Sequence, residues 1–199
     1  IAERTEEKIG IAAVWGNIGL TYLEATLYTD ARLSYERSEA LAVDIDDEAV
    51  AAGVRARALH GVAVCSLFLH EYLKGVDASE TAIELLLAPK DREQDQLRAL
   101  VEATYSQLLL ALNRVDDAAQ HAAVAREMAA KSGAVRAKIS AATVSGLVAV
   151  YKGNVDVGIS RIVAIRDQSK ILAASYQEAL RAPASAHEKA GQPDRALSR

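Results

Sequence analysis

The chain has 199 residues, 51% of them hydrophobic but only 5% aromatic, and 40 of them alanine. With only three prolines in that length, this composition argues against an all-β fold and for many close-packed helices, since alanine has the best intrinsic helix propensity. The net charge of −4, with basic residues spread among acidic ones, leaves no basic stripe for nucleic acid. Cys65 is the single cysteine, so an internal disulfide is excluded and a reducing, cytoplasmic setting is expected. No apolar run reads as a membrane span, and no membrane partner is expected. The chain starts at Ile1 and stops at Arg199 inside what reads as a further helix, so a piece of a longer protein is expected.

In chain order, a first helix is predicted over residues 3–26, and Thr29 or Asp30 caps a second that runs to about Leu41. Within this pair stand Trp15, then Ile18-Gly19, then Tyr22, and later Ala31, Tyr35 and Ser38. Trp15, Ile18 and Tyr22 recur at three and four residues and share one helical face. Gly19 and Ala31 are small where the two helix backbones approach. The acidic run Asp44-Ile45-Asp46-Asp47-Glu48 has the spaced carboxylates of a calcium loop but no glycine at its sixth position. It reads instead as a loop and N-cap for the next helix.

A long third helix is predicted from Asp47 to Lys74, ended by Gly75 as a left-handed cap. On it Gly53 and Gly61, eight apart, mark one face for a close crossing. Helix four spans about Ala78 to Leu87 and stops at Pro89, and Asp91-Arg92-Glu93-Gln94 opens helix five as a capping box. Helix five runs to Leu112 and turns at Asn113 into helix six, which ends near Lys131 with Gly133 as cap. Here Tyr105, Ser106 and Leu109 match Ile18, Gly19 and Tyr22, and Ala118, Ala122 and Ala125 match Ala31, Tyr35 and Ser38. Helix seven covers Ala134 to Lys152 with Gly146 at the small position, and helix eight covers Asp156 to Asp167. Helix nine starts near Lys170 and should kink before Pro183; residues 184–196 repeat the helix-turn-helix pattern, with Pro193 opening the last helix.

The pattern from Trp15 to Ser38, recurring at 102–125 and 184–196, resembles the tetratricopeptide (TPR) repeat. The resemblance implies an all-α, right-handed superhelical solenoid of antiparallel helix pairs, nearly five units: about 3–42, 47–88, 91–132, 134–168 and 170–199. Turns at Thr26, Gly75, Asn113, Gly153 and Gly191 give intervals of 49, 38, 40 and 38 residues. These exceed the nominal repeat of about 34. Such long units are similar to the TPR regions of bacterial signalling proteins: transcription regulators, diguanylate cyclases and HD-type cyclic-dinucleotide phosphodiesterases.

No phosphate-binding glycine loop, nucleophile elbow or His-Glu-x-x-His motif occurs. The histidines, His60, His70, His121 and His187, are scattered, and His60 and Cys65 diverge by about 140° around a helix. No catalytic, cofactor-binding or metal-binding residues are expected, and the segment reads as a non-enzyme. The Lys and Asn with which some TPR proteins clamp chaperone tails are replaced in the first unit by Gly16 and Leu20. The resemblance instead places Asn17, Leu20, Gln107, Leu147 and Tyr151 toward a concave groove. Their apolar or neutral character suits a helical or extended peptide of a protein partner. Leu20 and Leu147 have the alternative of packing against adjacent units. The expected function is a protein-interaction or sensory-regulatory module of a larger signalling protein; the alternatives are a homodimer scaffold, or the regulatory region of a cyclic-dinucleotide enzyme or transcription regulator whose effector domain lies outside this chain.

Overall fold

The computed structural model describes residues 2–87 and 91–169. The predicted ninth helix, the kink before Pro183, the last helix and the whole fifth unit lie outside them. The described residues form eight helices: α1 (Ala2–Glu24), α2 (Tyr28–Ala42), α3 (Glu48–Phe68), α4 (Tyr72–Leu85), α5 (Arg92–Ala111), α6 (Val115–Ser132), α7 (Val135–Tyr151) and α8 (Val155–Ser169). They pair in sequence as antiparallel hairpins, α1 with α2 through α7 with α8, and α1, α3, α5 and α7 also touch one another side by side. The all-α stack of helix pairs expected from the repeat pattern is what forms.

All four hairpins turn in the same way. The residues Thr26, His70, Asn113 and Gly153 have positive φ, between 60° and 88°. At the first turn the N–H of Thr26 donates to the Leu23 carbonyl at 3.0 Å and that of Leu27 to the Tyr22 carbonyl at 2.9 Å. The same pair of bonds recurs at His70, Asn113 and Gly153. These bonds satisfy carbonyls that the end of a helix otherwise leaves open. Only one of the four positions is glycine. Thr26, β-branched, holds a conformation that such a residue adopts rarely.

This register corrects the second hairpin. The third helix ends at Phe68, not Lys74, and Gly75 is not a cap. Gly75 lies inside α4, five residues past the turn residue, where Ala31, Ala118 and Gly158 stand in the other hairpins. All four are buried small residues on one seam. Gly75 is small because the Leu108 side chain and Ser66 occupy the space a Cβ would need. Seven residues before each turn stand the facing small residues Gly19, Ala63, Ser106 and Gly146. In the third unit the Ser106 hydroxyl donates to the Ala118 carbonyl at 2.7 Å. In the fourth, a Cβ on Gly158 would lie 2.5 Å from the Gly146 carbonyl oxygen. The turn intervals, from residues 26, 70, 113 and 153, are therefore 44, 43 and 40.

One further expectation is corrected. Helix α2 is preceded by Leu27 and has no side-chain cap, so neither Thr29 nor Asp30 serves as one. The acidic run does open α3, since the Asp47 carboxylate accepts from the N–H groups of Ala49 and Val50. By length and composition α3 is long and apolar enough to cross a membrane, although no unbroken apolar run showed it. Its apolarity is that of packing: Ala56, Ala58, Gly61, Val62, Ala63, Cys65 and Ser66 are buried against neighbouring helices. The Cys65 thiol is fully buried, and burial pushes its pKa up to about 12.

Candidate functional site

The first helix of every hairpin faces the inside of the stack. Because α1, α3, α5 and α7 are each antiparallel to the helix that follows, they run parallel to one another, and equivalent residues line up across them. Thirteen, nine and six residues before the turn these are Ala13, Asn17 and Leu20 on α1; Arg57, Gly61 and Val64 on α3; and Leu100, Thr104 and Gln107 on α5. Together they line a cavity of ≈ 660 Å³. It reaches α7 only at that helix's beginning, through Arg136 and Ser140.

The sequence-predicted groove residues divide accordingly. Asn17, Leu20 and Gln107 line the cavity. Leu147 and Tyr151 do not, although they sit at the register positions of Leu20 and Glu24. Leu147 is a core residue and Tyr151 packs against the same core, with its phenol pKa raised by burial. The fourth unit offers the cavity the start of α7 in place of its middle and end. Gly16 and Leu20, the positions that lack clamp residues, both line the wall.

The two ends of the cavity differ in chemistry. At the end where α1 and α3 finish, Tyr28 stacks on Phe68 with ring centroids 4.6 Å apart and planes inclined by 16°. Leu23 and Leu67 extend this surface, and Glu24 lies beside it. Farther from that end stand Arg57 and His60, near the middle of α3, and Arg136, in the first turn of α7. The positive ends of the helix dipoles point the same way. Arg57 is an exposed cation that pairs with Glu93 at 2.5 Å. Arg136 makes no hydrogen bond or ion pair with the described residues.

His60 Nε2 and Thr104 Oγ1 are 3.2 Å apart on the cavity floor. Burial, and then the charges of Arg136 and Arg57, push the imidazole pKa down to about 3. The Tyr35 phenol beneath is raised, chiefly by burial. A histidine beside a hydroxyl has the geometry of a base and nucleophile. An imidazole held so low is too weak a base to activate that hydroxyl near neutral pH. The floor is thus neutral and the rim cationic.

The depressed pKa has a thermodynamic consequence. The unfolded chain protonates this histidine near its ordinary value of 6.5 while the folded chain resists until about 3, so stability is lost as pH falls between those values. Equilibrium unfolding of the wild type and of His60→Gln should show the wild type losing stability more steeply with acid across that window. The difference should approach one proton per molecule, and parallel profiles would contradict the assignment.

Among the described residues no group of three or more His, Cys, Asp or Glu side chains could hold a metal ion. The sequence reading missed Arg57, His60, Arg136 and the Tyr28–Phe68 stack. The first two were legible in principle, because counting back from His70 as the turn residue aligns them with the groove positions of α1. The error at Gly75 shifted that count by five. Arg136 had no such signal, since it enters from the first turn of α7.

No protein-family model matches the chain, and no curated protein does. Solved structures do. Nearly identical TPR-like repeats from a Podosopora anserina kinesin light chain superpose with a TM-score of 0.60 at 14% identity, over 92% of this chain and 88% of that one. YrrB, described as a TPR protein with an unusual peptide-binding site, gives a TM-score of 0.49 at 16% identity, over 98% and 86%. The first of these likenesses shows the fold, a TPR-like stack of helix pairs.

Proposed function

We propose that this TPR-like chain is a non-catalytic binding module that holds an extended peptide segment of a partner protein in the cavity framed by α1, α3, α5 and α7. The observation that carries the reading is the cavity itself: ≈ 660 Å³, walled by Leu20, Val64, Leu67, Leu97 and Leu100, with a few polar groups converging on its floor. Binding sites commonly combine those features. The wider context is carried over from the resemblance. Turn intervals of 44, 43 and 40 residues favour the long-unit TPR regions, and with them a sensory-regulatory role in a larger cytoplasmic signalling protein of bacterial type.

The test is a selection of random twelve-residue peptides displayed on phage against the immobilised chain, followed by binding of the selected peptides to an Asn17→Trp variant. Asn17 is exposed at the cavity wall, so an indole there obstructs the cavity without entering the core. Selected peptides should lose most of their affinity for this variant while its melting temperature stays within a few degrees of wild type. A selection that returns no peptide sensitive to Asn17→Trp would end the reading.

A further inference from the structure

Helix α1 has a second face that the cavity does not use. We propose that this face is a docking surface for a second copy of the chain, the two α1 helices packing antiparallel about a two-fold axis near Gly16.

The register of the repeat identifies the face. Twelve, eight and four residues before the turn stand Val14, Ile18 and Tyr22 on α1. The same positions are Ala58, Val62 and Ser66 on α3, and Val101, Tyr105 and Leu109 on α5, all at most 5% exposed. There the second helix of the preceding hairpin packs on the first helix of the next, α2 on α3 and α4 on α5. Tyr105, at the position of Ile18, donates its hydroxyl to Glu80 of α4. No described helix covers this side of α1, where Val14 is 55% exposed and Tyr22 37%.

The composition of α1 is not that of a helix end-face left to water. Fifteen residues before the turn the other three first helices carry Arg55, Arg98 and Lys138, whereas α1 carries Ile11, 44% exposed. From Ile9 to Leu23, about four turns, α1 has no charged residue on any side. A terminal unit that meets only solvent needs a polar outer face. Ile11, Val14, Ile18 and Tyr22 instead form an apolar stripe at three- and four-residue spacing, the pattern of a helix that packs on another helix.

Two features select a second copy as the occupant. In the interior of the stack the covering helix runs antiparallel to the helix it covers, and a two-fold axis across α1 reproduces that orientation with α1 itself. With the axis near Gly16, Val14 comes level with Ile18 of the partner subunit and Ile11 with Tyr22 of the partner subunit, so the stripe is complementary to itself. A different protein is generally selected by opposite charges across the contact. This stretch has no charge to offer one, and none to repel its own copy. None of the four stripe residues lines the cavity, so the inference stands apart from the peptide-binding reading.

Sedimentation equilibrium of the full chain, from micromolar to high-micromolar concentration, should show the mass rising from 21.2 kDa toward twice that value. Ile11→Arg gives α1 the kind of residue that its counterparts carry at this position, so the variant should keep its helical circular dichroism. Its dimer should dissociate about 100-fold more readily, because each copy then places an unpaired cation in an apolar contact. Val14→Glu and Val14→Lys should each be monomeric alone, and their equimolar mixture should recover the dimer. The two-fold axis brings position 14 of the two copies within about one helical turn of each other, where opposite charges attract. A constant mass of 21.2 kDa at every concentration would overturn the proposal and leave the stripe to a helix of another protein or another segment of its own chain. A dimer that Ile11→Arg leaves intact, or a mixture of the two Val14 variants that stays monomeric, would overturn it equally.

Discussion

Glu102→Ala is expected to destabilise the chain by about 3–5 kcal/mol, the usual cost of breaking a buried ion pair from one side. Glu102 is 1% exposed, on the face of α5 where the first unit has Trp15. Its carboxylate accepts from Arg98 Nε at 2.7 Å and meets His121 Nδ1 of α6 at 2.6 Å. Arg98 donates further to the carbonyls of Ile83 and Leu86, at 2.9 and 3.0 Å, where α4 ends. One buried anion therefore ties α4, α5 and α6 together. Its removal leaves the Arg98 guanidinium, whose side chain is 14% exposed, with backbone carbonyls alone. Urea unfolding measures the loss, and the companion variant Arg98→Met/Glu102→Leu should cost less than the single change, since no charge is then stranded. A loss below 1 kcal/mol for Glu102→Ala would show that the network adds little.

Gly61→Ala is expected to cost about 2 kcal/mol in spite of the roughly 1 kcal/mol that alanine gains over glycine in a helix. A Cβ on Gly61 would lie 2.5–2.6 Å from atoms at the base of the Tyr35 ring. The ring cannot retreat, because Gly19 lies against its other side, where an added Cβ would come within 2.9 Å. Tyr35 is thus clasped between two helix backbones, one from its own hairpin and one from the next. Gly53 supplies the control on the same helix. Nothing lies within 4 Å of a Cβ there, so Gly53→Ala should be stabilising. In a Tyr35→Leu background most of the Gly61→Ala penalty should disappear. Equal effects at Gly53 and Gly61 would refute the clasp.

These two sites show where the sequence could and could not be read. The unit from Trp15 to Ser38 was legible because its small and large residues recur at helical spacing, and the hairpin at Asn113 followed from the same pattern. The second hairpin was not. Its turn residue is His70, which carries none of the usual turn chemistry, while the glycine nearby serves packing. Glycine answers two different needs, positive φ and close approach, and one sequence does not say which. Likewise Gly53 and Gly61 look equivalent by periodicity, yet only Gly61 meets a ring. The groove residues of α1 and α5 could be placed by counting. Those of α7 could not, because the cavity leaves that helix after its first turns, and this depends on how hairpins stack.

Among the described residues the helices pack substantially only on helices one or two places away, so α1 and α7 share no substantial contact. An array of that kind is a row of nearest-neighbour couplings, able to fray from its ends while its middle holds. The cavity touches α1, α3, α5 and α7 together. Whatever fills it links α1 and α7, two helices without substantial contact of their own, and a row of separable couplings then melts as one cooperative block.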